Sequence, residues 1–269
     1  MERRHIKWLP IIIAGLFLAY QYFSAEKFVN PETGRASHVG MSTQQEDALG
    51  LQTYQHVLDQ SQAITSGPEY DMVRRVASRL ARATGQAGAN FDWEESLVRD
   101  DQVNAFCLPG GKIVVYTGIL PVAQNEAALA TVLGHEMAHA TSRHGAERVL
   151  QQNLTQTFMT GVAVSISDMD YDKQRAVMGA LGAGAQFGVL MPFSRKDESE
   201  ADRIGLHYMA RAGYDPRESI NFWQRMESAG RAQPPEFLST HPSHGTRIQQ
   251  LEAEMPKALA EFNQQQTSP

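Results

Sequence analysis

The chain places His135, Glu136, Met137, Ala138 and His139 in the segment GHEMAHATSRHG, an HExxH pattern inside a stretch of helical periodicity. A helix advances about 100° per residue, so histidines four apart lie within about 40° of each other and both imidazoles can reach one tetrahedral ion. Glu136 projects beside them, where a carboxylate can take the proton of an attacking water. Leu129, Val132, Leu133, Ala138 and Ala140 supply the apolar surroundings of a buried helix.

A catalytic zinc site needs a third protein ligand and an open fourth position. His144 is nearest in sequence, but nine residues beyond His135 a continuous helix would turn it about 180° away, which makes it a capping or surface histidine. Glu198, in SRKDESEADRIG, is the better candidate, because Glu198 and Asp202 are four apart on one face of a second helix. One carboxylate can bind the ion while the other accepts from the far nitrogen of a ligand histidine and so fixes its tautomer. Glu200 falls about 160° from Asp202 and reads as a solvated charge. The single cysteine, Cys107, excludes a CxxC metal knuckle and reads as a small hydrophobe, and a structural zinc protein fits poorly because four closed ligands of Cys and His type are not available.

The elements that must hold these residues can be read from the rest of the chain. Its 269 residues, 42% hydrophobic and 20% charged with a net charge of −6, suit a folded protein with no nucleic-acid footprint. Arg3, Arg4 and Lys7 precede the apolar stretch Trp8 to Phe23, the pattern of a secretory signal or signal anchor. Residues 1–25 are therefore expected to be a retained membrane anchor, single-pass, with the rest on the extracytoplasmic side; periplasmic release after cleavage is the alternative. Residues 26–41 read as a linker, 42–262 as the catalytic domain and 263–269 as a disordered tail. Two helices open the domain. The run KIVVYTG then predicts a strand in a small sheet, and almost everything after Pro121 is helical. The fold class is α+β, mainly α. The stretch Ala176 to Phe193 is expected to pack as a Gly-rich helix beside the catalytic helix.

Four motifs in order, NAFCLPGGKIVVYTGIL, GHEMAHATSRHG, SRKDESEAD and THPSHGTRI, resemble the gluzincin zinc metallopeptidases that include the CAAX prenyl protease, the heat-shock protease HtpX and the Oma-type proteases. The resemblance runs from about Thr43 to Glu254. It implies a zincin-like domain with one Zn2+ held by His135, His139 and Glu198, with Glu136 as base and Asp202 behind the ligands. It further implies that Gly111 to Tyr116 is an edge strand receiving extended substrate, and that His241 and Arg247 approach the metal. His241 would either stabilise the oxyanion together with Arg247 or occupy the fourth zinc position and inhibit. The chain lacks the multiple membrane helices of the first two branches. The function implied is an endopeptidase acting on misfolded or unassembled envelope or membrane proteins; a chaperone or assembly factor with latent proteolysis is the second reading.

Overall fold

The computed structural model describes residues 6–189, 193–229, 236–241 and 245–267, and of residues 182–189 the backbone alone. In chain order these form α1 (Trp8–Ser24), β1 (Glu26–Val29), β2 (Ala36–Val39), α2 (Thr43–Asp59), β3 (Ala63–Ile64) and α3 (Pro68–Ala83). There follow β4 (Glu94–Val98), β5 (Ala105–Leu108), β6 (Lys112–Tyr116), α4 (Leu120–Ala123) and α5 (Glu126–Thr141). The remainder is helical: α6 (His144–Ser165), α7 (Tyr171–Val189), α8 (Arg195–Arg211), α9 (Glu218–Ala229), α10 (Glu236–Thr240) and α11 (Arg247–Thr267). The mainly α, α+β class read from the sequence is the one observed.

The chain divides into two compact units, one of Met1–Val29, Ala36–Ser42 and Ala146–Met191, the other of Asn30–Arg35, Thr43–Gly145 and Pro192–Pro269. In the first, α1 runs along the Ala146–Ser165 part of α6. The backbone N–H of Lys7 donates to the Ser165 carbonyl (3.0 Å), and Thr157 donates to Gln21 (3.0 Å). Gly161 is required by this packing, since a Cβ there would meet the Ala14 side chain at 2.4 Å. Among the described residues no helix is long and apolar enough to cross a membrane; α1 itself spans 17 residues. Residues 26–41 are not an irregular linker: β1 and β2 pair antiparallel, Glu26 opposite Val39. The turn Pro31, Glu32, Thr33, Gly34, read as a loop signal, is the bend of that hairpin.

In the second unit a four-stranded sheet runs in the order β3-β4-β6-β5, with β4 and β6 parallel and the other pairs antiparallel. Strand β6 is therefore not an edge. Its residues Ile113, Val114 and Val115 are buried, and a continuous β-branched run is what a strand covered on both faces requires. The edge is β5, joined to β6 through Pro109, Gly110 and Gly111. Both glycines take positive φ (78° and 94°), which only residues without a Cβ adopt cheaply. The C-terminal residues expected to be disordered continue α11 as far as Thr267. The proposed Gly-rich packing helix falls in α7, and Leu190, Met191 and Pro192 of that stretch lie outside the described residues.

The core of this unit is built around α5. Asn125 caps its start, accepting from the Ala128 N–H at 2.8 Å. Leu129, Val132, Leu133 and Met137 are fully buried against Val73, Val76 and Leu80 of α3, Tyr208 of α8 and Phe222 of α9. Helices α5 and α8 touch glycine to glycine. A Cβ on Gly134 would lie 2.9 Å from the Gly205 carbonyl oxygen, and one on Gly205 would lie 2.7 Å from the His135 nitrogen. Because the second contact is with backbone, Gly205→Ala must push the helices apart, and we expect it to cost about 1–3 kcal/mol of stability in denaturant unfolding. Gly179→Ala, which meets nothing within 4 Å, should cost nothing in the same measurement.

Candidate metal centre

The close crossing of α5 and α8 sets the first turn of α8 beside the histidines of α5. Ser194 starts α8 with a capping box: its hydroxyl accepts from the Asp197 N–H, and the Asp197 side chain accepts from the Ser194 N–H. Glu198 follows directly, its carboxylate close to the positive end of the helix. Its Oε1 lies 3.3 Å from His139 Nε2 and its Oε2 lies 3.5 Å from His135 Nε2, while the two Nε2 atoms are 3.1 Å apart.

His241 joins them from the end of α10. Its Nδ1 is 3.2 Å from His135 Nε2 and 3.0 Å from Glu198 Oε1. His135, His139, Glu198 and His241 are all buried, each offering an atom within 4.8 Å of the others. Several lone pairs this close repel one another unless a cation sits among them, and two imidazoles with a carboxylate form a donor set that suits zinc. The residues present therefore fit the ion that the sequence implies.

Glu136 is buried at the side of this cluster, its Oε1 3.5 Å from His241 Nε2. Burial raises its pKa, an effect partly offset by His241 and by the Cys107 backbone N–H, which donates to the carboxylate. That N–H comes from the edge strand β5, so the carboxylate and the sheet edge adjoin. Cys107 is half-buried and burial pushes its thiol well up, consistent with a small apolar filler. Burial pushes His139 well down. It also lowers His135, but hydrogen bonds to Asp202 and Glu198 outweigh it and raise that imidazole to about 10. Burial works against the Glu198 anion, yet the surrounding histidines hold its carboxyl far below the usual range. Aromatic rings wall the cluster: Phe193 lies 4.1 Å from the His139 ring, and Phe237 stacks on His241 at 4.6 Å.

Behind the cluster the support differs from expectation at His144 and Glu200. Asp202 sits where its spacing puts it, its Oδ1 2.9 Å from His135 Nδ1. Arg247, expected to donate to a developing oxyanion, pairs with two carboxylates: Nε donates to Asp202 and Nη2 to Glu198, each at 2.7 Å. Its guanidinium lies over Trp223, 4.0 Å from the ring centre, and the residue is 1% exposed. His144 is not at the surface; it is fully buried, with Nδ1 2.9 Å from His139 Nδ1 and Nε2 3.0 Å from Glu200 Oε2. Glu200 is accordingly not a solvated charge. Burial raises it, but His144, Thr33 and Arg35 more than compensate and bring it down to about 2.

The helical-wheel argument failed for His144 because α5 ends first. Arg143 takes φ +54° and its Nε donates to Glu46 at 2.6 Å, while Ser142 receives a hydrogen bond from Asn30. The backbone reverses there and brings His144 back toward His139. The TSRHG stretch, with a glycine close behind polar residues, carried a helix-end signal that could have found it. Pro242, Ser243 and His244 of the THPSHG motif lie outside the described residues.

Comparison with known proteins gives a concordant result. Residues 69–255 match the model of peptidase family M48. The chain is 40% identical over 190 residues to the mitochondrial metalloendopeptidase OMA1 of Schizosaccharomyces pombe, covering 69% of this chain and 53% of that protein. To the protein of the same name in Saccharomyces cerevisiae it is 30% identical over 286 residues, covering all of this chain and 79% of that one. To the beta-barrel assembly-enhancing protease of Yersinia pestis it is 34% identical over 223 residues, 81% of this chain and 45% of that protein. The chain thus spans about half the length of the first and third relatives.

The buried bracing by Arg247 has a measurable consequence. Arg247→Met leaves Asp202 and Glu198 without their cation, and removing one member of a buried ion pair costs about 3–5 kcal/mol. Denaturant unfolding of the metal-free protein should register that loss; stability unchanged to within 1 kcal/mol would mean that the pairing contributes little.

Proposed function

The chain belongs to peptidase family M48, and from that premise we propose that it is a zinc-dependent endopeptidase with His135, His139 and Glu198 as ligands and Glu136 as base. The observation that carries this reading is the buried His-His-Glu cluster with a further carboxylate directly beside it. When bound, a zinc ion supplies a Lewis acid for the scissile carbonyl and makes water a better nucleophile near neutral pH. Glu136 accepts the proton of the attacking water and passes it to the leaving amine. Asp202 keeps His135 with Nε2 directed at the cluster, and Arg247 holds Asp202 and Glu198 in register. Strand β5 offers an exposed edge next to Glu136, the place at which an extended peptide can add by main-chain hydrogen bonds.

Misfolded or unassembled envelope proteins are the substrates we propose. Relatives named as a mitochondrial metalloendopeptidase and a beta-barrel assembly-enhancing protease support a role in protein quality control. Attachment to a membrane through α1, with the peptidase unit on the extracytoplasmic side, is supported by the outward-facing Trp8, Leu9, Ile13, Leu16, Tyr20 and Phe23 behind a basic N-terminus. Cleavage of that segment would give a periplasmic form of the same enzyme.

A second reading, latent proteolysis, is favoured by one specific observation. His241 Nδ1 stands among the ligand atoms and Nε2 faces Glu136, so the imidazole takes the place that water and substrate need.

Incubating the full chain with casein should yield cleavage that a chelator abolishes and zinc restores. Glu136→Gln should keep zinc and fold while turnover falls by about 10²-fold or more, the usual contribution of a general base; cleavage undiminished in a clean preparation would exclude that role. His241→Ala separates the two readings by sign. Turnover rises if the imidazole blocks the site and falls if it serves the transition state.

A further inference from the structure

Resting on the metallopeptidase reading, we propose that His144 and Glu200 are positioning residues for the ligand His139, and that Thr33 and Arg35, from the loop joining β1 to β2, complete a hydrogen-bond chain that fixes its ring.

The direction of that chain follows from the atoms. His139 turns Nε2 toward Glu198 and His135, so this nitrogen must keep its lone pair for a cation and the proton belongs on Nδ1. Nδ1 lies 2.9 Å from His144 Nδ1, which therefore accepts. The proton of His144 is then on Nε2, 3.0 Å from Glu200 Oε2, and donates to that carboxylate. Glu200 in turn receives two hydrogen bonds from the loop, from the Thr33 hydroxyl to Oε1 and from Arg35 Nε to Oε2, each at 2.5 Å. Each donor named in this chain meets an acceptor, and with the His139 Nε2 lone pair kept for a cation the series admits one protonation pattern.

The competing account is a polar cluster that merely fills space. Burying an imidazole at 0% exposure and a carboxylate at 7% is costly, and an apolar pair of similar volume would fill the same space more cheaply. The neighbouring ligand is served in the same manner through other residues: His135 Nδ1 meets Asp202, which is held by Arg247. Each of these two imidazoles thus has its far nitrogen 2.9 Å from a partner atom and an arginine at the end of its chain. Orientation of both rings explains this duplication, whereas space filling does not.

The loop Asn30–Arg35 is anchored in the same unit as the metal centre by further contacts. Asn30 donates to the Ser142 hydroxyl at 2.9 Å, and Glu32 accepts from Arg211 at 3.0 Å. Residues that the sequence presents as a linker turn thereby become part of the support of the metal centre.

The test is zinc affinity of the full chain by competition with a chelator, read per folded molecule, with the absorption spectrum of the cobalt-substituted protein as a second readout. His144→Leu should weaken zinc binding about 10–100-fold and alter the cobalt spectrum, as loss of the group that orients a ligand histidine does. His144→Gln, which keeps one acceptor and one donor, should recover much of the loss. A folded His144→Leu protein with parental zinc affinity and spectrum overturns the proposal. Should that variant fail to fold, Glu200→Gln takes its place: it should weaken zinc several-fold, and unchanged affinity overturns the proposal equally. A parent chain that binds no zinc refutes the metallopeptidase reading itself, an outcome distinct from either.

Discussion

Gly134 and Gly205 let the backbones of α5 and α8 meet without side chains between them, and the metal centre depends on that contact. Glu198 sits about two turns ahead of Gly205 on α8, and His135 and His139 sit one and five residues after Gly134 on α5. A wider crossing, at the 8–10 Å usual for larger side chains, would leave the Glu198 carboxylate short of both imidazoles. The capping box at Ser194 then fixes where α8 begins, and so the height at which Glu198 meets the histidines. Neither glycine bears any chemistry, yet together they decide which chemistry-bearing groups can touch.

Such closeness has an electrostatic consequence. Asp197, Glu198, Glu200 and Asp202 are all buried within the first turns of α8, and a buried carboxylate survives as an anion only with a partner. The fold supplies the partners from three directions: Arg247 from the start of α11, Arg35 from the β1–β2 loop and the histidines from α5 and its end. These partners point the carboxylates inward at the ligands from behind, leaving the opposite side of the cluster to Glu136 and the edge of the sheet. Binding a cation there would neutralise charge that the protein has already paid to bury. That is why the ligand set and its supports belong to one arrangement.

What could be read from the sequence is what helical periodicity alone determines. The i, i+4 pairs His135/His139 and Glu198/Asp202 each lie within one uninterrupted helix, so their shared face was available from spacing. Errors arose where an element ended or was covered on more than one side. His144 was extrapolated along a helix that stops at Thr141. Glu200 is expected on a solvated face, but the exposed face of these turns is the one carrying Lys196 and Arg203, while Glu200 is covered by the β1–β2 loop and His144. The edge position of β6 is implied by the family resemblance alone, since its run of β-branched residues says strand but not place; the parallel pairing with β4, some twenty residues earlier, carries no local signal. The polar tail NQQQ is helical because Leu251, Met255 and Ala258 upstream bind α11 to the core and the helix continues past them.

The latent reading of His241 can be weighed by what holds it. The α10 segment has five residues, and its described attachments are few: the Phe237 N–H donates to the Val103 carbonyl at 3.3 Å, and the Phe193 N–H donates to the Thr240 carbonyl at 3.2 Å. Phe237 is buried beside His241 and, with half-buried Leu238, is what α10 contributes to the core. By contrast, His135, His139 and Glu198 lie in the long helices α5 and α8, packed at the centre of the core. Short segments with few hydrogen bonds open locally at a small fraction of the global unfolding free energy. Among the four groups of the cluster, His241 is the one carried by a short segment and not by α5 or α8. Because Val103 lies two residues before β5, the same attachment joins α10 to the sheet edge along which the proposed peptide would settle. In the latent reading, substrate binding along β5 and release of His241 would be one mechanical event.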